Sequence, residues 1–180
     1  MDYLTLTDSL QNKVMEIVNI INNPEIMPEV RQLYHETLFR EVGSAIYTKV
    51  YDMNAFDMEI PYTKGVGIDN RYYGMAKMAS DSISTGNLGL DQQIQNYSAS
   101  MASTAQGEAF TNASQSGKHP TVTRELTGRE NCKWCDGLAG TYTDPGPDVF
   151  KRHASCDCRI ITKGYKSRNG LLKNYKKGEK

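Results

Sequence analysis

The sequence predicts an α+β protein: a mostly helical N-terminal body, a small C-terminal β-ribbon that carries every cysteine, and a basic tail. Three observations predict it. Apolar residues recur at helical spacing through most of residues 8–112. β-branched residues alternate from Thr121 to Thr127 and return after Cys158. All four cysteines fall between 132 and 158, ahead of a Lys-rich end. The divisions are 1–115 for the body, 116–163 for the ribbon and 164–180 for the tail.

The first helix is expected over 8–22, with Asp8 and Gln11 as a capping box and Leu10, Val14, Ile17, Val18 and Ile21 on one face. Asn22-Asn23-Pro24 ends it. The second runs from Pro28 to about Tyr51, with Met27, Val30, Tyr34, Leu38, Val42, Ala45, Ile46 and Val50 along a stripe. Gly43 weakens that helix, and His35 sits beside the stripe as a surface or half-buried residue. Residues 52–68 read as a linker. Its Gly65-Val-Gly67 is too short for a phosphate loop and lacks the Lys-Ser/Thr ending.

A third helix is expected from Asp69 to about Thr85, facing inward with Tyr72, Met75, Ala76, Ala79 and Ile83, and broken at Gly86–Gly89. A fourth spans about Asp91–Asn112, with Ile94, Tyr97, Met101, Ala105 and Ala109 inward. Its small residues suit close packing against another helix or subunit. The Met and Tyr stripes read as core.

Ser116-Gly117-Lys118-His119-Pro120 is a turn in which His119 is structural or exposed. Thr121–Thr127 reads as a strand. Leu138–Thr143 reads as the return strand of a hairpin, and Asp144-Pro145-Gly146-Pro147 as a loop. Asp148–His153 reads as one helical turn, and Cys158–Thr162 as the last strand.

The formal net charge is zero, yet residues 151–180 hold ten Lys or Arg against Asp157 and Glu179, leaving the first 150 residues at −8. A basic tail on an acidic body suits a polyanion or an acidic surface; the plain alternative is a solvated tail. With 38% apolar residues and a mean hydropathy of −0.59, no run approaches the roughly 18 apolar residues that span a bilayer. The start, Met1-Asp2-Tyr3-Leu4, has neither the basic nor the apolar region of a signal peptide. Synthesis in a reducing cytosol is therefore expected, where clustered cysteines are more often metal ligands than disulfides.

The chemistry concentrates in Cys132-Lys-Trp134-Cys135, then seventeen residues, then His153-Ala-Ser-Cys156-Asp-Cys158. Two residues between cysteines let one turn aim both sulfurs at a point. A second group must then fold back to the same ion, the spacing of a structural zinc site. Cys132, Cys135, His153, Cys156 and Cys158 are five candidates for four places. Cys132 and Cys135 are the firm pair, and spacing leaves the other two open. A ribbon this small is expected to bury little apolar area, so a metal or crosslinks would stabilise it. Two disulfides, a thiolate activated by His153 and plain reduced thiols are the competing readings. Trp134 is expected to cover the turn with an apolar face.

Val122–Tyr142, with its Cys-x-x-Cys and Leu138-Ala139-Gly140 turn, and Val149–Ile160, with Phe150-x-x-His153-x-x-Cys156-x-Cys158, resemble the C-terminal module of tailed-phage minor head proteins, the head morphogenesis family similar to protein F of phage Mu. The resemblance covers only these stretches. It implies a structural, non-enzymatic minor capsid protein of the virion, inside the head and near the portal, made in the host cytoplasm and aiding head morphogenesis or genome delivery. It implies the portal and major capsid proteins as partners, no membrane, and a metal-binding or structural role for Cys132, Cys135, His153, Cys156 and Cys158. Some relatives carry a toxin or protease domain after the module, and the seventeen residues after Lys163 leave no room for one. The front is also shorter than in many relatives.

Lys166, Arg168, Lys173, Lys176 and Lys177 suit packaged DNA, by phosphate contacts that weaken steeply with salt. The alternative function is a zinc-containing DNA-binding or His-Asn-His nuclease module. That chemistry needs a catalytic histidine and a second metal-holding His or Asn. His153 is claimed by the cluster and His119 lies in a turn. A cytosolic regulator or adaptor is the third possibility.

Overall fold

A computed structural model describes residues 8–62, 76–78, 80–81, 89–126, 132–151 and 158–163. The fold is α+β, mostly helical, with one three-stranded antiparallel sheet. Its elements are α1 (Asp8–Asn22), α2 (Pro28–Met58), α3 (Leu90–Gln115), β1 (Thr121–Glu125), α4 (Lys133–Gly137), β2 (Gly140–Tyr142), a 3-10 turn (Pro147–Val149) and β3 (Arg159–Lys163). Helical backbone also covers 76–78 and 80–81. The remainder of the expected third helix, the Gly65–Gly67 linker, the side chains of the Asp8–Gln11 capping box and the 164–180 tail lie outside the described residues.

α1 matches its expected bounds and buries Ile17 and Ile21. Asn23 closes it: its Oδ1 accepts from the Glu25 N–H at 2.9 Å. α2 starts where Pro28 can occupy the first helical position, with the Met27 carbonyl accepting from the Arg31 N–H at 3.0 Å. It then runs seven residues past the expected end at Tyr51. Residues 52–58 are therefore helix and not linker, because no breaker precedes Glu59, and Asn54, Ala55 and Met58 continue the buried stripe. Asn54 donates to the Val50 carbonyl one turn back. The helix stops at Glu59, which takes φ 56°. The Glu59 N–H then reaches the Phe56 carbonyl and the Ile60 N–H the Ala55 carbonyl, so two otherwise orphaned carbonyls are satisfied. α3 ends in the same motif with a glycine in the left-handed place: Gly117 at φ 71°, bonded to Ser114, and Lys118 bonded to Ala113.

The chain forms two compact units. The first comprises 1–49 and 64–102. There Leu38, Phe39, Val42, Ile46, Tyr97 and Met101 are buried. Tyr97 packs edge-on to Phe39 with centroids 5.1 Å apart, and it crosses α2 at Gly43. Burial pushes the Tyr97 hydroxyl up to about 12, partly offset by Arg40. His35 is buried rather than superficial, and desolvation first, then the neighbouring Arg31, lowers its pKa.

The second unit comprises 50–63 and 103–180. Its sheet has the order β2-β1-β3, with Arg124 opposite Gly140 on one side and Ile160 on the other. Strand alternation puts Val122, Arg124, Ile160 and Thr162 on the buried face. Val122, Val149, Phe150 and Ile160 close around Phe110 of α3, with Tyr142 against them. The Gln106 amide donates to the Ile160 carbonyl at 2.9 Å, and the Thr162 hydroxyl bonds the Asn54 carbonyl oxygen. The ribbon thus completes its core with helix side chains. The expectation of an end that packs little and needs a metal or crosslinks in place of a core is corrected on that point.

Candidate metal centre

The Cys-x-x-Cys segment folds as a single helical turn, α4, between β1 and β2. Cys132 caps its N-terminus: the Cys132 sulfur accepts from the Cys135 N–H at 3.3 Å, and the Cys132 carbonyl accepts from the Asp136 N–H at 3.0 Å. An amide aimed at a sulfur fixes its direction and suits it better as a thiolate than as a thiol. Cys132 is exposed and Cys135 buried. The turn closes with the Leu138 N–H on the Cys135 carbonyl. The chain then re-enters the sheet at Gly140, whose φ of 147° belongs to glycine. Tyr142 clamps this exit by donating to the Leu138 carbonyl at 3.1 Å, and Thr123 and Thr141 share a hydroxyl bond across the strands at 2.9 Å.

Arg124 ties the turn to the segment that follows the 3-10 turn, at Val149 and Lys151. At 1% exposure it is the bulkiest of the fully buried side chains among the described residues. One terminal nitrogen donates to the Val149 and Lys151 carbonyls at 2.8 and 2.7 Å. The other donates to the Cys135 sulfur at 3.6 Å. Its guanidinium carbon stands 5.0 Å from the Trp134 ring centroid, within cation–π range. Trp134 is 41% exposed. It lies against the arginine that holds the cysteine turn, which is more specific than the apolar cover expected of it.

Lys151 lies two residues before His153 in the sequence. From the other side, β3 pairs Arg159 with Glu125, and Cys158 is buried just before it. His153 and Cys156 lie outside the described residues. Among the described residues, no three His, Cys, Asp or Glu side chains form a group able to hold a metal ion. Of the five candidates, the described residues bring one pair together in a single turn, Cys132 and Cys135. Arg124 was missed by sequence reasoning, although it shares strand parity with Val122, and a charged residue on a strand's buried face signals a specific partner. Its carbonyl acceptors lie 25 and 27 positions away.

His119 is exposed, with φ 46°. No described helix is long and apolar enough to cross a membrane. In comparisons with known proteins, no family model matches the chain, and neither the curated proteins nor the solved structures give a significant match.

Proposed function

We propose that the chain is a non-enzymatic minor head protein of a tailed phage, portal-proximal in the virion, whose C-terminal ribbon is locked by one structural zinc. Cys132 and Cys135 would hold the ion together with two of His153, Cys156 and Cys158. A bound zinc supplies a rigid crosslink between distant segments and no reaction. The observation that carries the metal reading is the capped turn: a sulfur held by a backbone amide, beside a buried cysteine held by a buried arginine. The virion reading draws its support from the Cys/His pattern and its Leu-Ala-Gly turn. The portal and major capsid proteins are its proposed partners, with packaged DNA against the basic tail.

Metal analysis of the purified protein and mass spectrometry of intact phage particles test the two readings separately. One zinc per chain, lost to a chelator, is expected, as is the chain among particle proteins. Metal-free protein overturns the first reading, and absence from particles overturns the second. Nicking of plasmid DNA with magnesium or manganese would replace the structural role with the nuclease one.

A further inference from the structure

We infer that Cys132 and Cys135 form a reversible dithiol–disulfide pair that a low-molecular-weight disulfide oxidises. The pair is the one the zinc reading uses, but the inference does not rest on that reading. Residues 133 and 134 lie in the helical turn α4, and a helical step from i to i+3 sets the two Cα atoms about 5 Å apart. That is inside the range a disulfide spans, so the bond closes by side-chain rotation with the backbone in place. The Cys132 sulfur already stands over the turn, 3.3 Å from the Cys135 nitrogen. The two sulfurs differ in access. Cys132 is exposed, while Cys135 is 2% exposed and its sulfur accepts from the Arg124 guanidinium at 3.6 Å. Exchange is served by that asymmetry: an outside reagent reaches one sulfur, and the second waits within the same turn. Cys132 displaces one thiol from the reagent and becomes a mixed disulfide. Cys135 then attacks the Cys132 sulfur and releases the second thiol. Two protein S–H bonds and one reagent S–S bond are lost, and one protein S–S bond and two reagent S–H bonds form. Two electrons and two protons pass to the reagent. The loop so closed spans only Cys132 to Cys135 and removes little entropy from the unfolded chain, so the bond serves exchange rather than stability. A zinc ion on the same sulfurs would withhold them from the reagent, which makes the two readings separable.

The test incubates the full chain with oxidised glutathione, as purified and after chelation, and maps the products by alkylation and peptide mass spectrometry. In the chelated chain a Cys132–Cys135 disulfide is expected, reversed by excess reduced glutathione. Trp134, the sole tryptophan, lies between the two cysteines, and its emission should change with the same dependence on the glutathione ratio. Cys135→Ser should stall as the mixed disulfide on Cys132. Cys132→Ser should be modified at Cys135 at least about tenfold more slowly, because buried thiols are inert. Both cysteines still reduced in the chelated wild type overturn the inference, as does a bond from either one to Cys156 or Cys158. A Cys135→Ser chain that takes up no glutathione at Cys132 overturns it too. The decisive outcomes are read on the wild type, so a variant that fails to fold leaves the test intact. Zinc content is measured on the same sample. A metal-free chain that forms the bond removes the zinc reading alone, and a zinc-bearing chain that stays reduced after chelation removes this inference alone.

Discussion

At the scale of single residues, two positions in the first unit carry predictions, one from contact geometry and one from burial of a titratable ring. Gly43 lies inside α2, where alanine is usually better by about 1 kcal/mol. An added Cβ would stand 2.5 Å from the Tyr97 hydroxyl oxygen and 2.7 Å from its ring. That ring is buried against Phe39 and has no easy retreat. Overpacking costs about 1–3 kcal/mol, so Gly43→Ala should lower the denaturation midpoint despite its propensity gain. Gly107, inside α3, is the control: its Cβ would meet Phe150 at 3.4 Å, an ordinary contact. Gly107→Ala should be neutral or stabilising by up to about 1 kcal/mol. Equal effects in urea denaturation would refute the packing explanation. His35 makes the second case. Both ring nitrogens are buried without a hydrogen-bond partner among the described residues. Burial, then Arg31, depresses its pKa below the ordinary 6.5. The unfolded chain therefore takes up the proton first as pH falls through 6.5, and stability is lost from there down to the folded-state pKa. In His35→Leu that loss should be absent, so the gap between variant and wild type should widen in the variant's favour from pH 7 to pH 5. A constant gap in midpoints would show that His35 does not titrate in that window.

At the scale of elements, the end of α2 shows what a one-dimensional pattern carries. Glycine and proline downstream of Tyr51 mark a linker, and Phe56-Asp-Met58 then looks like an isolated apolar island. The helix continues because its stop is made by Glu59, a residue type with no signature for a left-handed φ of 56°. Such a position costs a non-glycine residue about 1–2 kcal/mol. The Lys118–Glu59 pair offsets little of it, at 3.8 Å between exposed side chains. Glu59→Gly should raise stability by about 1 kcal/mol; an unchanged or lower melting temperature would count against that strain. Where local chemistry writes the boundary, the sequence reads correctly: Asn23-Pro24 after α1, Pro28 before α2, and alternation in β1 and β3; α3 runs past its expected end near Asn112 to Gln115, just before Gly117. The Cys132–Cys135 turn is legible for the same reason, since its spacing and its capping are both local. Phe110 as the ribbon's core and Arg124 as its clamp are not, because each depends on partners that only the folded chain brings near. Strand parity says that Arg124 faces inward, but not that the Val149 and Lys151 carbonyls await it.

At the scale of the whole molecule, the candidate metal centre falls entirely within the second unit, and so does the apolar cluster of Phe110, Val122, Val149, Phe150 and Ile160. Full burial of such side chains is worth about 1.5–3 kcal/mol each. Gross burial is thus on the order of 10 kcal/mol before the entropy of ordering is charged against it. The sheet also hangs on α2 through Asn54 and on α3 through Gln106. Two supports for one unit predict a graded response to metal removal. The α4 turn buries Cys135 alone, so under the proposed zinc reading a bound ion would add to the order that its capping bonds supply. The strands depend on the apolar cluster. After chelation, amides from Cys132 to Leu138 should exchange with deuterium at least about tenfold faster, while those of β1 and β3 keep their protection, the local opening that low-burial segments undergo. Unchanged exchange in the turn would mean that no ion was held there. Loss of protection in β1 and β3 along with it would mean that the helix side chains cannot sustain the ribbon, and that the ion supports the sheet as well as the turn.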